Sequence, residues 1–396
     1  MLAVLEVPLH DSPPRSSRRP NGRPASPPTR RQWPWSLLPA IALASAIGCS
    51  AGGTAGIELR PADTPKLPIS APTTQCISEK LVVKREGKFR SRWRATLAGE
   101  PAHVAPDILV IAGNEIRIRA RFAYGPRHKD LEAETVETFL GLRQGWVSLG
   151  EYQTNSHGWI SFPLPAEFTP LPSGIYPLFF RVLGDGTQTT ATLRIYPKNT
   201  HLVVFDIDGT LTTHDRQFAW QFVWGRKHDQ SSYNPEPYAG AAELTRAHRD
   251  RGAVLLYLTG RPFRATSWTE RWLRVRRFAR GNLKLTATLS DIIPTVDNVG
   301  RYKRGYLEKL VAQGFLIDLA YGNSWTDAYA YLGAGVGKGQ VYIIGKNAGA
   351  LGTNKVAGNW KDELKRVQGL PPVVQPWSRK PDSIRSCDNE CCEETP

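Results

Sequence analysis

The stretch Glu115-Ile116-Arg117-Ile118-Arg119-Ala120-Arg121-Phe122 alternates charged and apolar side chains, the two-residue period of a half-buried strand. The same pattern returns at Gly145-Trp146-Val147-Ser148-Leu149, at Gly158-Trp159-Ile160-Ser161-Phe162 and from Ile175 to Val182. Gly184-Asp185-Gly186 marks a turn, and Thr189 to Tyr196 reads as the returning strand. Short strands punctuated by Gly and Pro predict an all-β sandwich over 75–198. After Tyr196-Pro197 the pattern changes. His201 to Phe205 is a buried-type strand, Pro237 to Arg251 reads as a helix closed by Gly252, and Val254 to Leu258 is a second apolar strand. Lys303 to Gln313 reads as a helix stopped by Gly314, and Leu316 to Tyr321 and Val341 to Ile344 are further strands. Apolar strands alternating with helices predict an α/β doubly wound parallel sheet over 199–368. The fold class expected is therefore multidomain: a sandwich followed by an α/β domain.

The flanks differ in composition. Residues 1–32 are rich in Arg, Pro and Ser and read as disordered, 49–74 as a linker, and 369–396 as a disordered tail. The chain has 396 residues, 41% hydrophobic and 22% charged, which suits two packed domains with flanks. Lys and Arg number 51 against 36 Asp and Glu, a net charge of +15 that favours anionic partners. The one apolar run near membrane length, Trp33 to Gly48, excludes a multi-span membrane protein. Arg30-Arg31 precede that run, which ends in Ala46-Ile47-Gly48-Cys49. This resembles a bacterial lipoprotein signal over 1–48 and implies lipidation of Cys49. The expected location is then a membrane-anchored, exported bacterial lipoprotein, on the periplasmic face or outer surface. Cys76, Cys387, Cys391 and Cys392 remain, an even number compatible with two disulfides of open connectivity.

Three apolar strands end in polar groups. The first runs into Asp206-Ile207-Asp208-Gly209-Thr210, the second into Thr259-Gly260-Arg261-Pro262, and a later one into Gly322-Asn323-Ser324-Trp325-Thr326-Asp327. In a parallel sheet, ligands sit beyond the carboxyl ends of the strands. Lys303 opens a helix between them and can reach the same edge. This set suits phosphoryl transfer through an aspartyl phosphate. One carboxylate attacks phosphorus and a second, two residues on, moves the proton. Clustered carboxylates suit Mg²⁺, while a lysine and a hydroxyl hold the transferring oxygens. Gly209 lets the chain turn sharply after the strand.

These motifs, taken in order, are similar to the four signatures of haloacid dehalogenase-type phosphatases. Asp206-Ile-Asp-Gly-Thr-Leu-Thr212-x-x-Asp215, Tyr302-Lys303 and Gly322-Asn323-x-x-x-Asp327-x-x-Ala-Tyr look like those of lipins, the Mg²⁺-dependent phosphatidate phosphatases. From about Phe122 to Asn347 the chain resembles the lipin-related domain of membrane-associated phosphatidylinositol transfer proteins, the retinal degeneration B family. There, too, a Gly-(Val/Ile)-Tyr-Pro strand leads to a Gly-Asp turn, and Tyr-x-Thr-Gly-Arg-Pro follows the second strand. The resemblance implies Asp206 as nucleophile and Asp208 as general acid and base. It implies Mg²⁺ held by Asp206, the Asp208 backbone carbonyl and Asp327. Phosphate would be bound by Thr259, Lys303 and Asn323, with Gly209, Thr210, Gly260 and Arg261 lining the substrate. The animal transfer proteins typically lose one of the first-motif Asp residues and bind phosphatidic acid without hydrolysing it; this chain keeps both. Thr259-Gly-Arg-Pro departs from the Ser-Ala-Arg of lipins. Lys284 rivals Lys303 but stands in a strand-like run.

The intervals from Asp208 to Thr259 and from Thr259 to Lys303 are too short for a large cap domain, so the site can admit a headgroup seated in a bilayer and equally a phosphoprotein or nucleic acid. Phe218, Trp220, Phe222 and Trp224 alternate as a flap would. Arg261, Arg264, Arg271, Arg274, Arg276, Arg277 and Arg280 crowd one segment with Trp268 and Trp272, a composition compatible with an anionic membrane surface or a solvated face. No nucleic-acid partner is expected, since no recognition motif is present. The expected function is an Mg²⁺-dependent phosphatase acting on phosphatidic acid or a related anionic phospholipid. The alternatives are a catalytically silent lipid-binding module and a phosphatase of soluble phosphomonoesters.

Overall fold

The computed structural model describes residues 89, 99–125, 128–213, 234–286 and 296–379. Cys49, Cys76, Cys387, Cys391 and Cys392, the linker, and the aromatic run from Phe218 to Trp224 lie outside the described residues.

Alternation decides the first domain. Its strands are β1 (Ile108–Ile111), β2 (Arg117–Arg121), β3 (Ala123–Tyr124), β4 (Lys129–Asp130), β5 (Thr135–Leu142), β6 (Gly145–Gln153), β7 (Trp159–Pro163), β8 (Gly174–Val182) and β9 (Gln188–Tyr196). In β2, Ile118 and Ala120 are buried while Arg117 and Arg119 face out, as a pleated strand over a core requires. One sheet runs β1-β9-β8-β5-β6, and two shorter antiparallel pairs, β2-β7 and β3-β4, complete the β region. Ile118, Phe122, Val136, Leu140, Leu178, Phe180 and Leu193 form its core.

The second domain follows as β10 (His201–Phe205), α1 (Ala241–Asp250), β11 (Val254–Pro262), α2 (Thr266–Val275), β12 (Asn282–Thr286), α3 (Arg301–Gln313), β13 (Leu316–Gly322), α4 (Trp325–Gly333), β14 (Val341–Ile344), β15 (Asn354–Val356) and α5 (Lys361–Gln368). Its six strands run β12-β11-β10-β13-β14-β15, every pair parallel. Successive side chains of β10 feed opposite layers. Val203 and Phe205 join Leu244 of α1, Trp272 of α2, Trp360 just before α5 and Val367 of α5 on one face. Leu202 and Val204 join Leu307, Leu310, Ala328 and Tyr331, from α3 and α4, on the other. Leu109, Ile111 and Tyr196 of the sandwich enter this second cluster, so the two domains share one apolar seam. The chain moves outward from β10 in one direction, then returns to place β13 on its other side. This reversal opens a crevice beyond the carboxyl ends of β10 and β13.

Two boundaries differ from expectation. Helix α1 starts at Ala241 because Pro237 bridges Thr212 and Gly240 turns with φ +83°. The segment after α5 does not leave the surface at once. Gln375 is buried and its amide donates to the His201 and Gly252 carbonyls at 3.0 and 2.9 Å, while Trp377 stacks on Tyr196 at 6.2 Å. Among the described residues, no helix is long and apolar enough to cross a membrane.

Trp360 ties α5 to the loop after β10: it is fully buried and its indole N–H donates to the Thr210 carbonyl at 2.7 Å. Trp360→Phe keeps an aromatic ring but leaves that carbonyl without its partner. Urea denaturation should show a loss of about 1–3 kcal/mol; an unchanged midpoint would show that the bond contributes nothing.

Candidate active site

The site is assembled from strand ends. The backbone N–H of Asp206 donates to the Tyr321 carbonyl at 2.9 Å, which extends the β10–β13 pairing by one residue and sets Asp206 level with Gly322. Gly209, with φ +74°, then turns the chain back, and its N–H donates to Thr212 Oγ1 at 3.0 Å. The Thr210 hydroxyl donates to Asp206 Oδ2 at 2.8 Å and approaches Asn323 Oδ1 at 3.3 Å.

Lys303, from the first turn of α3, is buried and its ammonium donates to Asp206 Oδ1 at 2.5 Å and to Asp327 Oδ1 at 2.6 Å. Asp327 is itself fixed by a capping box at the start of α4. Its Oδ2 accepts from the Ser324 hydroxyl at 2.7 Å and from the Ser324 and Asn323 N–H groups at 3.1 and 3.2 Å, while its own N–H donates to Ser324 Oγ at 3.0 Å. Gly322 makes room for this: a Cβ there would lie 2.6 Å from Asp327 Cβ. Lys284, the rival lysine, lies in β12 with its ammonium 4.9 Å from the Tyr306 ring centre, and burial pushes it down to about 8.

Asp208 faces a different cation. Arg261 is fully buried, and its guanidinium forks onto the Asp208 carboxylate, Nε to Oδ2 at 2.9 Å and Nη2 to Oδ1 at 2.8 Å. Its Nη1 donates to Thr269 of α2 at 3.0 Å. Thr259 Oγ1 accepts from the Arg261 N–H at 3.2 Å and lies 3.4 Å from Asp208 Oδ2. Arg261, expected beside the substrate, is thus engaged in holding Asp208. A Cβ at Gly260 would meet the Val299 methyl groups at 3.3 Å, a tight contact that Val299 would relieve by shifting a few tenths of an ångström.

Sequence reading missed Ser324, Thr269 and Trp360. Ser324-Trp-Thr-Asp327 carries the spacing of a capping box, a usable signal; Thr269 and Trp360 carry none, because their partners are remote in sequence. The Arg-rich segment also resolves into distinct roles. Trp272 belongs to the core, its N–H donating to the Pro235 carbonyl at 2.9 Å, and Arg276 pairs with Glu236 at 2.9 Å. Arg274, Arg277 and Arg280 are exposed. A membrane-facing role for Trp272 is therefore excluded by its burial.

Three carboxylates here face two cations. Burial would lower Lys303, yet Asp206 and Asp327 together hold it above its ordinary range. Burial pushes Asp206 up to about 7, with Lys303 opposing the rise and Asp327 and Asp208 adding to it. Both follow from one ammonium shared by two buried carboxylates. Among the described residues, no group of three or more His, Cys, Asp or Glu side chains is placed to hold a metal ion.

The raised carboxyl makes stability depend on pH. An unfolded Asp titrates near ~4, so between that pH and about 7 the folded chain binds a proton that the unfolded chain has released. Stability then falls as pH rises through this window. Asp206→Asn should remove that slope. In chelator-treated urea melts the variant should gain on wild type by roughly 1–4 kcal/mol from the acid to the alkaline end of the window. Parallel curves would show that Asp206 does not titrate there.

Residues 203–345 match the family model described as PITM 1-3, LNS2 domain, and residues 101–195 match PITM 1-3, beta-sandwich domain. The chain is 33% identical over 276 residues to protein retinal degeneration B of Drosophila melanogaster, covering 68% of this chain and 20% of that protein. It is 31% identical over 248 residues to membrane-associated phosphatidylinositol transfer protein 1 of Rattus norvegicus, covering 62% and 18%. With membrane-associated phosphatidylinositol transfer protein 3 of Homo sapiens it is 29% identical over 268 residues, covering 66% and 25%. The chain thus spans about a fifth to a quarter of the length of these relatives. These matches overturn the exported, membrane-anchored bacterial lipoprotein with a lipidated Cys49. The relatives are animal membrane-associated proteins, and nothing in them points to bacterial export. A basic pair, an apolar run and a cysteine make a short pattern of low information, which an Ala- and Arg-rich segment produces without any export role. Over residues 101–345 the chain belongs with the retinal degeneration B and membrane-associated phosphatidylinositol transfer proteins, of which it carries the β-sandwich and LNS2 domains.

Proposed function

We propose that this chain is a haloacid dehalogenase-like phosphatase of a phospholipid phosphomonoester, phosphatidic acid being the simplest substrate. The observation that carries this is the buried Asp206 carboxylate at the carboxyl end of β10, with the Lys303 ammonium 2.5 Å from Oδ1 and the Thr210 hydroxyl on Oδ2. An oxygen nucleophile, a fixed cation and hydroxyl donors stand together at the crevice where a parallel sheet binds ligands.

In this reading Asp206 attacks phosphorus, and the bond to the lipid hydroxyl breaks. Asp208 supplies the proton to the departing oxygen and then takes one from the water that releases phosphate and restores Asp206. Lys303 and Thr259 face the phosphoryl oxygens, and Asn323 closes the far side. Asp208 must let go of Arg261 to move a proton, and its side chain is 22% exposed. The donor set fits Mg²⁺ in kind. Asp206 and Asp327 are hard oxygen ligands in a site short of positive charge, and the Asp208 backbone carbonyl would be the third protein ligand. Mg²⁺ commonly takes few carboxylates and completes its shell with water and phosphate. When bound it neutralises charge on the phosphoryl group.

The forked Asp208–Arg261 pair favours a second reading, a module that binds the phosphate of a lipid and does not hydrolyse it. The experiment is phosphate release by the full chain from phosphatidic acid vesicles with Mg²⁺. Release should be lost with chelator and fall by roughly 10³-fold or more in Asp206→Asn. Vesicle binding without release would install the second reading. Equal release from vesicles and from soluble phosphomonoesters would remove the lipid as the specific substrate.

A further inference from the structure

At the seam between sandwich and sheet, two arginines and a histidine have buried nitrogens that find no hydrogen-bond partner among the described residues. Arg121 ends β2 and is 5% exposed. Its Nε donates to the His157 carbonyl at 3.3 Å, and its Nη2 reaches the His128 carbonyl at 3.4 Å and the Asp130 carboxylate. Its Nη1 is buried and finds no hydrogen-bond partner among the described residues. The same holds for His128 Nδ1 and for Arg264 Nε. Arg264 lies in the helical turn Phe263–Ala265 that follows β11, three residues beyond the Arg261 that grips Asp208. The Arg121 and Arg264 guanidinium carbons both lie against the Phe263 ring, 5.3 and 5.8 Å from its centre. Phe263 in turn packs on Trp159 of β7 at 5.6 Å.

This arrangement is unfavourable by itself. Buried guanidinium N–H groups without acceptors forfeit hydrogen bonds they would make in water. Two like charges held at one ring repel, and among these groups only Asp130 opposes them. Burial and the charge of Arg121 hold Arg264 below its ordinary range, and burial with both arginines pushes His128 down to about 4. An anion relieves all of this at once. Guanidinium N–H groups match phosphate oxygens, and His128 adds a third donor in its Nδ1-protonated tautomer.

We propose that Arg121, His128 and Arg264 form a second anion site, at the seam between the two domains, that takes a phosphate group distinct from the one facing Lys303. Since β2, the turn before β4 and the turn after β11 all contribute, a phosphate bound here joins the sandwich to the sheet. The inference stands apart from catalysis and holds whether or not Asp206 turns over substrate.

The test uses the full chain as wild type, Arg264→Gln and Arg264→Lys, with two probes. Inorganic phosphate is titrated by calorimetry, and phosphatidylcholine vesicles with and without phosphatidic acid are followed by flotation. A free phosphate ligand is supported if Arg264→Gln weakens phosphate binding about tenfold and abolishes the rise in Tm that phosphate gives wild type, with Arg264→Lys between them. A lipid phosphate is supported if only binding to the acidic vesicles falls about tenfold. Equal behaviour of wild type and Arg264→Gln with both probes, including no binding by either, overturns the proposal. Without phosphate, Arg264→Gln should melt no lower than wild type, since it removes a buried donor that lacks an acceptor. Hydrolysis of a soluble phosphomonoester separates the two sites: a rate unchanged in Arg264→Gln assigns the lost binding to the seam. If wild type itself shows no hydrolysis, the phosphatase reading fails and this one is untouched.

Discussion

The ammonium of Lys303, buried between Asp206 and Asp327, is the contact on which the rest of the site depends. It joins three segments remote in sequence: the end of β10, the start of α3 and the start of α4. Each charge alone would be costly to bury, and removing one partner leaves the others uncompensated. Much nearby structure exists to permit it. The reversal of strand order makes β10 and β13 neighbours. Gly322 omits the side chain that would collide with Asp327, and the Ser324 capping box keeps the carboxylate aimed at the lysine.

The second pair, Asp208 with Arg261, works on a different principle. Arg261 is preorganised by its own core contacts, a bond to Thr269 and the Trp272 ring 5.8 Å away. It therefore couples the acid in the first motif to helix α2 and the core beneath. In the proposed mechanism Asp208 carries protons, and here it is held by a cation that cannot give one up. Under the proposed phosphatase reading, how readily this fork opens would set the balance between hydrolysis and simple phosphate binding.

The sandwich shares its seam with the sheet. Leu109, Ile111 and Tyr196 pack under α3, the helix that delivers Lys303, while Trp159 and Phe263 meet near the end of β11. Such shared burial joins the edge of the sandwich to one layer of the sheet and brings charged residues of both to their border. The family matches fall on both halves, as expected of domains that pack together.

Local pattern carried a good deal. Two-residue alternation marks β2, β7 and β8, an uninterrupted apolar run marks β10, and Gly314 closes α3 with φ +109°. The first and last acidic motifs stand at strand ends, so Asp206, Asp208 and Asp327 were visible without coordinates. These features depend on neighbours within a few residues. Strand β5 was harder to see: Thr135, Glu137 and Thr138 dilute its apolar rhythm, yet it lies inside the sheet between β8 and β6. Only the tertiary structure decided that Lys303 and not Lys284 meets the carboxylates, that Arg261 grips Asp208, that Trp272 is core, and that Arg121 and Arg264 share one ring. Each is a pairing between residues far apart in the chain. A sequence specifies which side chains are available and which face of an element they occupy. Which of them become partners depends on strand order and on the burial that removes water as the alternative partner.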